Sequence, residues 1–421
     1  MVYSPFTDLI KTTRRTGVAS WDANGYPATA TEGAPASGRM AVTAGNEYPL
    51  GDYILTLEGS GPVELPHPNN AQIIPDGPNR FIVRLAEPPE DYGFEIQITS
   101  YPATNIRLYL PGLENHSSHW NPAYLAYMEP FRGSVFRFMD LNGVNNSQQR
   151  NWSDRVSSDW SSFVNKNNLC AEWNCKGNVP YEYMVELCNQ LECDMWIPIP
   201  HQATEEYVAN LAKLIKTGID PVSGNKTGPA LDLNLRVWLE YSNEVWNWNF
   251  KQSGYVNEEE PSIVALGDDI DQRYARKAVQ LFKVFKAAFG DDARIVRVLG
   301  TQIGWGGGVR TKSRIAAVDR ADFDTIAVTT YFNDGFQQYL NDNWPLTQDQ
   351  ALDHLEKNIG SGPFRENEPN KEGENAYWSY RWAREAGVPV ITYEGNDHIN
   401  PVEKVVAKDS GKKTPTPRDP P

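Results

Sequence analysis

Glu244 lies in the run Val237-Trp-Leu-Glu-Tyr-Ser-Asn-Glu-Val-Trp-Asn-Trp248, where an apolar strand-like stretch leads into an Asn-Glu pair flanked by indoles. A carboxylic acid beside an amide and flat aromatic rings is equipped for sugar chemistry. The acid can protonate a glycosidic oxygen, the amide of Asn243 can hold a ring hydroxyl, and indoles such as Trp246 and Trp248 can cover sugar faces. The competing reading is structural, because Ser-Asn-Glu ahead of an apolar residue is also how a capped surface helix begins. Which reading holds depends on the elements that deliver Glu244.

After residue 105 strand-like runs alternate with amphipathic helical patterns. The strands are Ile106–Leu110, Ser134–Met139, Asp194–Ile199, Leu235–Tyr241, Arg294–Leu299, Thr325–Thr330 and Pro389–Tyr393. Helical periodicity covers about 122–131, 180–191, 204–216, 271–289, 311–318 and much of 348–386. Strands buried on both faces and separated by helices predict a parallel sheet, and this many repeats predicts closure into a (β/α)8-type TIM barrel. The seven counted strands leave the barrel one short. Phe6–Lys11, a second chain, or a C-terminal segment beyond this sequence would have to supply the eighth.

In such barrels the chemistry sits where the strands end. Read that way, Arg137 lies in the second counted strand, with Asp140 and Asn142 beyond it, and His201 follows the third. Asn243 and Glu244 end the fourth, Gln302 follows the fifth, Tyr331 the sixth, and Glu394 the seventh. Each has a plainer alternative. Glu240 shares strand parity with Glu244 but lies deeper, where a salt-bridged interior residue is expected. Glu394 precedes Gly395-Asn396, a turn signal. His201 reads either as a substrate contact or as a satisfied structural histidine, and Arg137 and Tyr331 either as site groups or as interior ones. Trp305 is a further stacking candidate within the glycine-rich Gly304–Gly308, which reads as a mobile loop, whereas Trp378 and Trp382 at i, i+4 read as core.

Residues 40–104 carry a different texture. Tyr53–Glu58, Arg80–Leu85 and Phe94–Thr99 are strand-like, bounded by Gly, Pro and Asn, with no helical pattern between them. This predicts an antiparallel β-sandwich module that braces the barrel. Residues 1–39 are expected to pack on the barrel, 105–400 to form it, and 401–421, charged and Pro-rich, to be a flexible tail.

The net charge of −15 argues against a nucleic-acid partner, which needs clustered Lys and Arg, and is compatible with a neutral glycan. The 13 tryptophans are consistent with sugar binding, although packing accounts for many. No run is long and apolar enough for a membrane span, and Met1–Phe6 lacks the pattern of a secretory signal. An extracellular or virion-associated location is expected nonetheless. Cys170, Cys175, Cys188 and Cys193 form two pairs with four residues between partners. Local disulfides and buried thiols both remain open, and the spacing is wide for zinc knuckles. No cofactor or metal is expected.

The blocks Trp21–Tyr26, Arg137–Asp140, Ile199–His201 and Glu240–Asn247 resemble the clan-A glycoside hydrolases, retaining (β/α)8 enzymes. They look closest to a poorly characterised cellulase-related group of microbial and viral proteins. The resemblance covers about residues 5–396 and leads one to expect a further strand and helix after Tyr393–Gly395. It implies Glu244 as general acid/base, Asn243 as the amide that holds the substrate 2-hydroxyl, and Glu394 as nucleophile. In that scheme burial beside Trp246 or Trp248 raises the acid's pKa, and hydrogen bonds from Tyr331 and Arg137 keep Glu394 ionised. The expected function is hydrolysis of β-linked oligo- or polysaccharides by double displacement. The alternative is a carbohydrate-binding or virion structural protein that keeps the barrel without turnover. A hydrolase of non-glycan substrates is weaker still, since no Ser-His-Asp signature or metal-ligand cluster appears.

Overall fold

The computed structural model describes residues 4–16, 20–29, 38–42, 48–59, 63–64, 71–87, 94–98, 102–163, 179–290, 292–302, 306–330, 336–343, 347, 349–350, 352–354 and 376–395. The chain is mixed α/β and divides into two compact units, residues 1–242 with 283–295, and residues 243–282 with 296–421.

The first unit opens with antiparallel structure. Strands β1 (Arg14–Thr16), β4 (Gly38–Val42), β6 (Val63–Glu64) and β9 (Phe94–Ile98) form one sheet in the order β1-β4-β9-β6. Strands β5 (Gly51–Gly59), β7 (Ala71–Pro75), β8 (Arg80–Leu85) and β10 (Ala103–Tyr109) form a second in the order β10-β5-β8-β7, and β2 (Ser20–Trp21) pairs with β3 (Pro27–Thr29). The period of two does the work here. Tyr53, Leu55 and Leu57 of β5 and Val83 and Leu85 of β8 point to one side, and Ile96 and Ile98 of β9 join them in a single buried cluster. These strands reach past the expected 40–104 limits at both ends, from Arg14 to Tyr109.

Ile106–Leu110 is therefore not the first parallel strand. Most of it lies in β10, which pairs antiparallel with β5, Leu108 opposite Leu55. Its alternating burial is that of a strand with one wetted face, unlike the continuous burial of the strands that follow. Phe6–Lys11 is not a strand of the parallel set either. Phe6 and Asp8 make isolated antiparallel bridges to Trp120 and Tyr109, and Leu9–Thr12 is a 3-10 turn capped by Asp8, whose carboxylate accepts from the Ile10 N–H at 3.0 Å.

The α/β part of the first unit carries α1 (Pro122–Met128), β11 (Val135–Arg137), α2 (Met139–Asn142), α3 (Tyr181–Leu191), β12 (Asp194–Ile199), α4 (Glu205–Thr217) and β13 (Val237–Tyr241). Strands β11, β12 and β13 run parallel, Arg137 beside Trp196 and Ile199 beside Tyr241. Helix α4 has its signals in the sequence. Thr204 caps it by accepting from the Tyr207 N–H at 3.2 Å, Glu205 and Glu206 occupy the first turn, and Gly218 ends it in a left-handed conformation. A β-carbon at Gly218 would fall 2.2 Å from the Gly228 carbonyl oxygen, so only glycine fits. Helix α3 ends on a left-handed Glu192, and the Cys193 N–H reaches back to the Cys188 carbonyl at 3.0 Å. Cys188 and Cys193 are buried free thiols, and burial together with the Cys193 neighbour pushes the Cys188 thiol well above its ordinary value. Cys170 and Cys175 lie outside the described residues.

Between β13 and β14 (Ile295–Gly300) come α5 (Lys251–Gly254), α6 (Pro261–Val264) and the long α7 (Ile270–Phe289). The second unit continues with α8 (Gly307–Ala316), β15 (Thr325–Thr329), α9 (Phe336–Asn343), α10 (Ala376–Glu385) and β16 (Val390–Glu394). Here β14, β15 and β16 run parallel, Leu299 beside Ile326 and Ile326 beside Val390. Among the described residues the parallel strands number six rather than seven, and an eight-stranded barrel is not what they build. The tail 401–421 and most of the expected 348–386 helical stretch lie outside the described residues.

Candidate active site

Strand β13 ends at Tyr241, and the chain then enters a strained turn. Ser242 and Glu244 have φ of 57° and 42°, a left-handed backbone that non-glycine residues rarely adopt and that costs on the order of 1–3 kcal/mol each. The turn is held from the far side. Asn247 N–H donates to the Glu244 carbonyl at 2.7 Å, the Gln252 amide to the Asn243 carbonyl at 2.8 Å, and the Ser253 hydroxyl to the Asn247 carbonyl at 2.7 Å. No helix starts at Ser-Asn-Glu, since α5 begins only at Lys251, so the capped-helix reading of this segment fails.

The Glu244 carboxyl is half-buried and fully engaged. The Asn247 side-chain amide donates to Oε2 at 2.9 Å and the Tyr393 hydroxyl to Oε1 at 3.3 Å. Because the Asn247 carbonyl oxygen accepts from the Asn249 N–H at 3.1 Å, its NH2 end faces Glu244. Glu394 stands close enough for its carboxyl to act on Glu244. Of the acids here Glu244 is the one whose surroundings favour the protonated form. Burial first, then the charge and hydrogen bond of Glu394, push the Glu244 pKa up from 4.5 to about 7, against the opposing pull of Asn247 and Tyr393.

Strand β16 supplies Tyr393 and Glu394 by a local irregularity. Val328 pairs with Thr392, but Thr329 pairs with Glu394, so Tyr393 is an extra residue with no opposite number. Neighbours on a regular strand point to opposite faces, whereas a bulge turns the strand and lets both side chains reach Glu244. Gly395 follows. A β-carbon there would lie 2.1 Å from the Thr330 hydroxyl oxygen, so the chain passes Thr330 only as glycine.

Of the residues singled out in the sequence, Glu244 and Glu394 meet. Asn243 is buried at the foot of the turn, Trp246 is half-buried, and Trp248 is 60% exposed, presenting a free indole face. Gln302 follows β14, half-buried. Trp305 and Tyr331 lie outside the described residues. In the first unit Arg137 holds Glu240 through Nε and Nη2 at 2.8 and 3.0 Å. Glu240 is the salt-bridged interior acid anticipated for it. His201 is 2% exposed with its carbonyl accepting from the Tyr241 hydroxyl, which places it in the interior. Two residues were missed. Asn247 sits in the same aromatic run and Tyr393 immediately precedes Glu394, but only the bulge and the turn give them their partner.

The sequence matches no protein-family model and no curated protein. Among solved structures, the chain resembles the crystal structure of the GH51 arabinofuranosidase from Xanthomonas axonopodis pv. citri, with a TM-score of 0.37 and 10% identity. The match covers 69% of this chain and 54% of that one, so the chain spans about half the length of the structure it matches.

Proposed function

We propose that this protein is a retaining glycoside hydrolase for β-linked glycans, with Glu244 as acid/base and Glu394 as nucleophile. One observation carries the reading: two glutamates from separate strand ends stand together, and burial with the neighbouring Glu394 pushes the Glu244 pKa up to about 7. A glycosidase needs that asymmetry, one acid to protonate the leaving oxygen and one carboxylate to attack the anomeric carbon. Carboxyls in hydrogen-bond contact lie well inside the roughly 6.5–9.5 Å spacing of inverting enzymes, and a sugar entering between them would part them toward the ~5–5.5 Å of retaining ones. The exposed Trp248, four residues after Glu244, offers a stacking face. The deciding experiment follows the first-formed sugar by proton NMR on an aryl β-glycoside. Initial release of the β-anomer supports the reading, while α-anomer first, or sugar binding with no product from any glycan, overturns it.

The state of Glu244 sets the pH dependence. The acid works only while protonated, so kcat/KM should fall as pH rises through about 7. Asn247→Ala and Tyr393→Phe each remove a donor that favours the carboxylate, so both should move that alkaline limb upward. A limb that stays in place in both variants would show that these donors do not act on the titrating group. Stability carries the same signature. Between about 4.5 and 7 the folded chain holds a proton that the unfolded chain has released, so this group's contribution is greatest at low pH and is lost as pH rises through that window.

A further inference from the structure

The first unit contains a cavity of about 320 Å³ that plays no part in the proposed hydrolysis. Its floor is Asp8, Arg107 and Tyr183, and its open side is formed by His116, Ser117 and Asp159. Tyr183 is 2% exposed and its ring is clamped by Phe6 and Phe163 at 5.6 and 5.1 Å between centroids. Among the described residues nothing hydrogen-bonds its hydroxyl, although the charges of Asp8 and Arg107 both act on it. The ring is buried while the hydroxyl opens to the cavity, where it is offered to whatever occupies that space. Arg107 is similarly incomplete. Its Nε donates to Asn105 and its Nη1 to Asp8 at 3.2 Å, leaving Nη2 toward the cavity.

The charges around this space cancel. Asp8 is matched by Arg107 and Glu114 by Arg80, and the Lys11 ammonium, tied to the carbonyls of Ser158 and Trp160, stands opposite Asp159. His119 is bound by Glu186 at 2.6 Å. An anion would meet three carboxylates, and a cation would meet Arg107 beside Lys11, whose pKa is brought down to about 7 by burial and Arg107, so neither is favoured. What the walls offer is donors and acceptors side by side, which suits a ligand whose every polar group both gives and takes a hydrogen bond.

We propose that this cavity is a binding site for a neutral polyhydroxylated ring of about monosaccharide size, recognised by Tyr183, Arg107 and Asp8. The site is independent of the acid pair and stands or falls without it. The test titrates the full chain with methyl β-D-glucopyranoside, methyl β-D-xylopyranoside, myo-inositol and inorganic phosphate by calorimetry. At least one of the three polyols should bind, and Tyr183→Phe, which keeps the clamped ring, should weaken that binding fivefold or more without lowering the melting temperature. Glu394→Gln should leave it unchanged, separating it from binding at the acid pair. Ser117→Trp, at an exposed position on the rim, should block it even if Tyr183→Phe folds poorly. No polyol binding, binding insensitive to both Tyr183→Phe and Ser117→Trp, or a response to phosphate alone would overturn the proposal.

Discussion

Glu394→Gln should lower kcat on an activated aryl β-glycoside by about 10³-fold or more, because an amide cannot attack the anomeric carbon. Glu244→Gln should behave differently. With a 4-nitrophenyl leaving group, which departs without a proton, the first step survives and the second, in which Glu244 activates water, becomes slow. With an unactivated disaccharide both steps fail, so the loss should be far larger there. This split distinguishes nucleophile from acid/base even though the two groups touch. The alkaline limb near pH 7 should also vanish in Glu244→Gln. Near wild-type turnover in both variants, or equal losses on both substrates for Glu244→Gln, would remove the assignment.

Arg137→Ala should destabilise the protein by about 3–5 kcal/mol, seen as a lower urea midpoint at unchanged slope. The side chains of Arg137 and Glu240 are 9% and 2% exposed, and their two hydrogen bonds are joined by one from the Trp196 indole to Glu240 at 3.0 Å. The guanidinium also stands over the Trp196 ring at 5.5 Å. Removing the arginine strips two charge-assisted hydrogen bonds from a carboxylate in the interior. The cost comes from that stranded charge more than from the lost attraction, so replacing both partners by apolar residues, Arg137→Met with Glu240→Leu, should recover most of it. A single variant within about 1 kcal/mol of wild type would mean that water reaches Glu240.

The elements bearing Glu244 and Glu394 were legible because their signals are local. Strands β12, β13 and β15 are nearly continuous apolar runs, and Thr204 and Gly218 mark the ends of α4 within a few positions. Ile106–Leu110 was misassigned although its alternation was visible, because the neighbouring helical pattern at 122–131 outweighed it. The pairing of Arg137 with Glu240 was not foreseen. Strand parity fixes the face a side chain takes but not which of two glutamates it will meet, and the pairing of β11 with β12 and β12 with β13 brings Glu240 within its reach.

Residue order alone settled where an acid follows an apolar strand, since burial periodicity and turn chemistry act over a handful of neighbours. It left open whether Glu244 and Glu394 would meet, which of them burial would favour as the acid, and that Asn247 and Tyr393 would donate to the Glu244 carboxyl. Those outcomes hang on a bulge opposite Thr329 and a left-handed turn at Glu244, which bring side chains 149 positions apart into contact. Contacts of that range exist only once the chain has packed, because desolvation and the field of a neighbouring charge are properties of the folded environment.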